Sequence, residues 1–161
     1  MGEANSISIR MVEQSEMDIA WFIYMTHFYE CLNSIPDPHL SMNLSRVEFA
    51  EKYTNGNSKL CFATYNSENI GVLDIIDEGE NGITLNQIWV LPEYWYTAFV
   101  PRIIFEFERN YPDVGKWNIG TCIMLEADIK ACQEKGWKAE SIKSLGVDYI
   151  TTKLEKKLVK E

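Results

Sequence analysis

Histidine, cysteine and positive charge are all in short supply in this chain. Its 161 residues include two histidines, His27 and His39, and no His/Cys/carboxylate cluster closes around either. That pattern argues against a zinc site, so no metal is expected. The four cysteines (Cys31, Cys61, Cys122 and Cys132) stand far apart and form no CxxC pair. Three lie within apolar patterns and read as buried, reduced thiols. No apolar run approaches the roughly 20 residues that a membrane-spanning helix needs. Residues 1–6 have neither the basic region nor the apolar stretch of a signal peptide, so a cytoplasmic protein is expected. Lys and Arg number 15 against 24 Asp and Glu, a formal charge of −9. Nucleic-acid binding relies on neutralising phosphates with cations, and this balance argues against it. It suits a cationic partner such as an amine, although solubility alone is the simpler account of an acidic surface.

What is present is an ordinary globular composition, 46% apolar and 24% charged. The length suits one domain, residues 1–161, with a core large enough to need no staples. Ile7, Ile9 and Met11 alternate as in a first strand, and Ser15 with Asp18 reads as a helix start. Ile19, Phe22, Ile23 and Thr26, with Tyr29 behind them, follow at helical spacing. Pro36-Asp-Pro-His39 ends that helix. Ser45 and Glu48 form a capping box ahead of the stripe Val47, Phe49, Ala50 and Tyr53. Strands are expected over 60–65, 70–76 and 83–91, the last two joined by the turn Glu78-Gly-Glu-Asn-Gly82. A helix begins near Pro101, a strand covers 116–121, and a helix over about 125–135 is capped by Gly136. Strands from Trp137 onward and over 149–154 complete the chain, with a charged tail from Glu155 that frays. The class is α/β, a mixed sheet with helices on both faces.

The segment Ile83-Thr-Leu-Asn-Gln-Ile-Trp-Val-Leu-Pro-Glu-Tyr94 is the most informative, because its strand turns through a short loop directly into a helix. Strand-loop-helix points backbone N–H groups at an anion. Together with Ile9-Arg10 in the opening strand, and with Pro112, Trp117, Thr121 and Glu134-Lys-Gly-Trp137 in the second half, it resembles the GNAT acetyltransferases over nearly the whole chain. The resemblance implies a mostly antiparallel central sheet of about six to seven strands, flanked by about four helices. It implies acetyl-CoA as co-substrate, an amine as acceptor, no metal, and leaves a homodimer open. A catalytically inactive GNAT-like binding module is the alternative.

By the same resemblance, main-chain groups of Ile88, Trp89 and Val90 would pair with the pantetheine arm, where plain strand core is the compatible alternative. An N–H near Val90 would stabilise the reaction's oxyanion. The pyrophosphate would lie against Trp95, Tyr96, Thr97, Ala98, Phe99 and Val100, with Arg102 the nearest cation. The family's Gln/Arg, Gly and Gly/Ala correspond here to Trp95, Ala98 and Val100, so the loop departs from the pattern at each place. The aromatic run Tyr94-Trp-Tyr96 can stack on a ligand or plug the cleft. The family tyrosine that protonates the thiolate is replaced by Cys132, which reads more simply as core. Asp74, Asp77 and Glu93 are carboxylates that could take the amine's proton, each read more simply as a strand-edge or turn residue. His39 falls in the segment that lines the family's acceptor site.

Overall fold

The computed structural model describes residues 6–34, 44–77, 79–94, 99–111, 116–124, 126–144 and 150–157. Among the described residues seven strands and four α-helices follow in the order β1 (Ile7–Met11), α1 (Met17–Ser34), α2 (Arg46–Thr54), β2 (Ser58–Tyr65), β3 (Glu68–Asp77), β4 (Ile83–Val90), α3 (Phe99–Asn110), β5 (Lys116–Met124), α4 (Glu126–Glu134), β6 (Lys138–Ser144) and β7 (Ile150–Lys157). Strands β1-β2-β3-β4 form one antiparallel sheet and β5-β7-β6 another. β4 and β5 run close beside each other, yet no ladder joins them among the described residues. None of the described helices is long and apolar enough to cross a membrane.

Local signals fix several element ends. Ser45 and Glu48 exchange side-chain and backbone bonds in the expected capping box. Gly79 and Gly82 turn the β3–β4 hairpin with φ of +64° and +98°, values that favour glycine. Gly136, at φ +97°, closes α4 while the amide of Trp137 donates to Cys132 O at 3.1 Å and that of Gly136 to Gln133 O at 3.0 Å. Those paired bonds are a Schellman closure of the helix.

α1 and α2 cover one face of the four-stranded sheet, and α3 packs on the other. Beneath α1 and α2 lie Leu60, Phe62, Val72 and Trp89; beneath α3 lie Cys61, Leu73, Ile75, Leu85 and Ile88. Alternation along β3 and β4 sends neighbouring side chains to opposite faces. The chain entering α2 is pinned to α1, because Leu44 N donates to the Tyr24 hydroxyl at 2.7 Å and Trp21 Nε1 to Leu44 O at 3.3 Å. Arg46 forks onto Asp18, again joining the two helices.

Three sequence expectations change. The helix start is governed by Glu13 and Glu16 rather than Ser15 and Asp18, and a 3-10 turn over Gln14–Glu16 leads into α1. Glu16 also receives a fork from Arg10, which holds this turn against the first strand. The buried stripe of α1 is Ala20, Ile23, Tyr24 and His27, whereas Ile19, Phe22 and Tyr29 face outward. Val47 on α2 is likewise exposed. At the C-terminus, Glu155 to Lys157 belong to β7 and pair with Lys116, Trp117 and Asn118, so the strand continues past the expected fraying point.

Candidate active site

The end of β4 is built by its pairing with β3. Gly71 faces Val90, and Leu91 N donates to Ile70 O at 2.9 Å. That bond makes Gly71 and Val90 a pair whose own amides and carbonyls point outward from the ladder. Two residues earlier, Ile88 opposite Leu73 repeats the geometry. The main-chain groups of Ile88 and Val90 therefore point away from β3, to the side where β5 lies. Trp89 points the other way with its main chain, pairing with Val72, and its indole is core against Tyr24 at 4.8 Å. A side chain at Gly71 would meet Trp89 O at 3.0 Å, a tight contact that favours glycine here.

His27 caps the same strand end. Its Nδ1 is 3.1 Å from Val90 O, and since a carbonyl only accepts, Nδ1 carries the hydrogen. Burial lowers the imidazole pKa to about 4, with the Val90 bond opposing that shift, and the ring is neutral near pH 7.

Beyond β4, Pro92–Tyr94 forms a 3-10 turn in which Glu93 is exposed. Trp95, Tyr96, Thr97 and Ala98 lie outside the described residues, as does His39. α3 opens with Phe99, Val100 and Pro101, all buried. Phe99 packs edge-on to Tyr65 and Tyr94, with ring centroids 4.8 and 5.1 Å apart. Arg102, exposed on the next position, lies over the rings of Phe99 and Tyr65 at 5.0 and 5.6 Å.

The candidate proton-transfer residues are not brought together. Glu93 stands in solvent at the strand end. Cys132 is fully buried on α4 in the cluster with Phe107 and Trp137, and the Trp137 indole donates to Glu108 on α3 at 2.9 Å. Asp74 is buried on the opposite face of β3, on the side of Val72 and α2. Asp77, at the strand end, accepts from Gly79 N at 3.0 Å and lies 3.7 Å from Lys59, which makes it a turn residue.

Asp74 has neighbours that sequence reading did not foresee. A bulge between Asp74 and Ile75 lets Asn86 of β4 donate to Asp74 Oδ2 at 3.1 Å. Lys52 Nζ lies 3.9 Å from the same oxygen. The Tyr53 hydroxyl faces Asp74 closely enough for the two to act as a hydrogen-bonded pair, although Tyr53 Oη and Asp74 Oδ1 fall outside strict hydrogen-bond geometry. Burial raises the Asp74 pKa against the opposing effects of Asn86 and Lys52, and burial followed by the Asp74 charge raises that of Tyr53 well above its ordinary value. A bulge cannot be read from strand patterning alone, which is why Asn86 carried no signal, while Tyr53 was readable only as part of the α2 stripe.

No protein-family model and no characterised protein matches the chain by sequence. Solved structures match it by shape. An acetyltransferase from Thermus thermophilus superimposes with a TM-score of 0.63 at 11% identity, covering 97% of this chain and 99% of that one. A GCN5-related N-acetyltransferase from Rhodopseudomonas palustris gives 0.62 at 12% identity, with 96% and 98% covered. The PaiA N-acetyltransferase from Thermoplasma acidophilum, solved in complex with coenzyme A, gives 0.61 at 16% identity, with 95% and 99% covered. The fold of this chain is the GNAT acetyltransferase fold.

Proposed function

We propose that this protein is an acetyl-CoA-dependent N-acetyltransferase acting on a small amine, with residues 1–161 as one catalytic domain. The observation that carries the reading is the outward-facing main chain of Ile88 and Val90, on a strand that meets β5 without a ladder among the described residues. Such a strand edge offers alternating donors and acceptors to the amides of a pantetheine arm. The near-full coverage of acetyltransferase structures in both directions supports the single-domain reading.

Bound acetyl-CoA supplies an activated acyl thioester. The chain's own contribution is placement: Ile88 and Val90 hold the arm through backbone groups, and the Val90 N–H is the donor assigned to the charge that develops on the acyl oxygen. His27 fixes Val90 O from α1 and so sets the orientation of that strand end. Trp95 to Val100 and Arg102 are assigned to the pyrophosphate end, at the start of α3. Asp74 is assigned to the acceptor, being on the α1–α2 side of the sheet. Cys132 is given no proton-transfer role, since it is sealed within the core.

A non-catalytic module is the second reading, and one feature favours it. Phe99 and Val100 are buried, Pro101 has no N–H, and Arg102 is engaged with two aromatic rings. The first turn of α3 thus offers a diphosphate fewer donors than a glycine loop would. A thermal-shift titration with acetyl-CoA separates the cases. At a dissociation constant of about 10 µM, about 1 mM ligand would stabilise the fold by about 2.7 kcal/mol. A shift with turnover of an amine panel supports the transferase, a shift without turnover the module, and no shift at all counts against acetyl-CoA as ligand.

A further inference from the structure

We propose that the outer face of α1 is a dimer interface, along which a second copy of this chain packs antiparallel about a two-fold axis. Five large apolar side chains stand exposed among the described residues, and four of them belong to α1 and the start of α2. Ile19 is 46% exposed, Phe22 63%, Tyr29 67% and Val47 65%. The inner face of α1 is taken up by the sheet, with Ala20, Ile23, Tyr24 and His27 buried. A helix that is apolar on both sides calls for cover on both.

The polar groups of the face are engaged within the chain. The Thr26 hydroxyl donates to Phe22 O at 2.7 Å, so its donor is met inside the helix. Arg46 forks onto Asp18 and neutralises the charge at one end. Ile19 and Val47 each follow a member of that fork, so both sit at the same end of the face.

The spacing points to the occupant. Ile19, Phe22, Thr26 and Tyr29 recur at intervals of 3, 4 and 3 residues, the a-d-a-d pattern of a two-helix seam. The set is also symmetric. Turned end for end about the level of Tyr24, Ile19 meets the partner's Tyr29 and Phe22 meets the partner's Thr26, a large side chain against a small one. A pairing that uses the same patch on both copies closes at two.

The area agrees. At roughly 200 Å² for a large side chain, the four exposures leave about 450 Å² of apolar surface on each copy. Each partner of a stable dimer buries about 800 Å², a little over half of it apolar. The face thus supplies the apolar part of such an interface. The proposal stands apart from acetyl transfer, since His27 holds Val90 O from the opposite side of α1.

Sedimentation velocity on the full chain reads the outcome directly. Wild type at about 100 µM should run as a dimer of the 18.6 kDa chain and dissociate on dilution, with a dissociation constant of about 1–50 µM. Phe22→Glu should weaken the dimer by about thirtyfold or more. With both proteins diluted to monomer, its Tm should stay within about 2 °C of wild type, as for any exposed position. Ile19→Lys and Tyr29→Glu should each weaken the dimer alone. Their double variant sets opposite charges face to face twice, and should associate about tenfold more tightly than either single variant. A monomeric wild type would leave the face to a different protein and overturn the proposal. A dimer indifferent to Phe22→Glu would overturn it by placing the interface elsewhere. A double variant no tighter than the single ones would overturn the antiparallel pairing, and the proposal with it. Should Phe22→Glu not fold, Ile19→Lys and Tyr29→Glu decide.

Discussion

His27 Nδ1 donates to the carbonyl oxygen of Val90 across 3.1 Å, tying the middle of α1 to the last residue of β4. A neutral or a charged ring could make that bond, but burial favours the neutral one: the folded pKa of about 4 lies below the ordinary 6.5. A depressed histidine leaves the unfolded chain binding the extra proton first as pH falls. The stability it confers is therefore whole above about pH 6.5 and is lost progressively down to about pH 4, by about 3 kcal/mol. Urea denaturation of wild type and His27→Gln at neutral pH and at two steps between the two pKa values should give curves that converge toward acid. Parallel curves would mean that the imidazole is not the group titrating.

Gly71→Ala should cost about 1–3 kcal/mol, because the new methyl meets Trp89 O at 3.0 Å, a backbone atom that cannot swing away. The strain falls on the strand that presents Ile88 and Val90, so acetyl-CoA binding should weaken alongside the melting temperature. A stable Gly71→Ala with unaltered binding would show that this end of β4 yields easily.

Cys132→Ser places a hydroxyl in a fully buried position beside Trp137 and Phe107 and should cost about 1–3 kcal/mol. Acetyl transfer by the surviving folded protein should remain within a few-fold of wild type. A large loss of rate in a variant that melts normally would instead make this thiol the proton donor.

Val100→Gly is the change that would bring the start of α3 closest to a glycine loop. Val100 is buried against the α3 core, so the substitution opens a cavity and loosens the helix, for a loss of about 2–4 kcal/mol. Tighter acetyl-CoA binding at that cost would locate the loop's shortcoming at this residue. Weaker binding would show that Val100 supports the site by packing.

Signals that act over a few residues were legible. Ser45 with Glu48, the Gly79–Gly82 hairpin and Gly136 each specify their geometry locally, and all appear where the sequence places them. The face of α1 was not legible. Ile19, Phe22 and Thr26 form one stripe, and Ala20, Ile23 and His27 another about 100° around the helix. The fit of Tyr24 between Trp89 and Phe49, with the His27–Val90 bond, selects the second. At the site, Ile88, Trp89 and Val90 could be placed on one strand, but which of them turns its main chain outward depends on the register against Gly71. Arg102 was readable as a cation and unreadable as one laid over Phe99 and Tyr65.

The absence of a β4–β5 ladder among the described residues also bears on cooperativity. Strand bonds carry the protection of amides from exchange with solvent, and here they run within each sheet, with none crossing that seam among the described residues. Opening along the seam breaks no ladder bond among the described residues, so amides of β2 and β3 are expected to exchange as one cooperative unit and amides of β5 and β7 as another. A ligand arm laid against Ile88 and Val90 would add main-chain bonds along that seam. Slower deuterium uptake on both sides at once would then be the mark of two units welded into one.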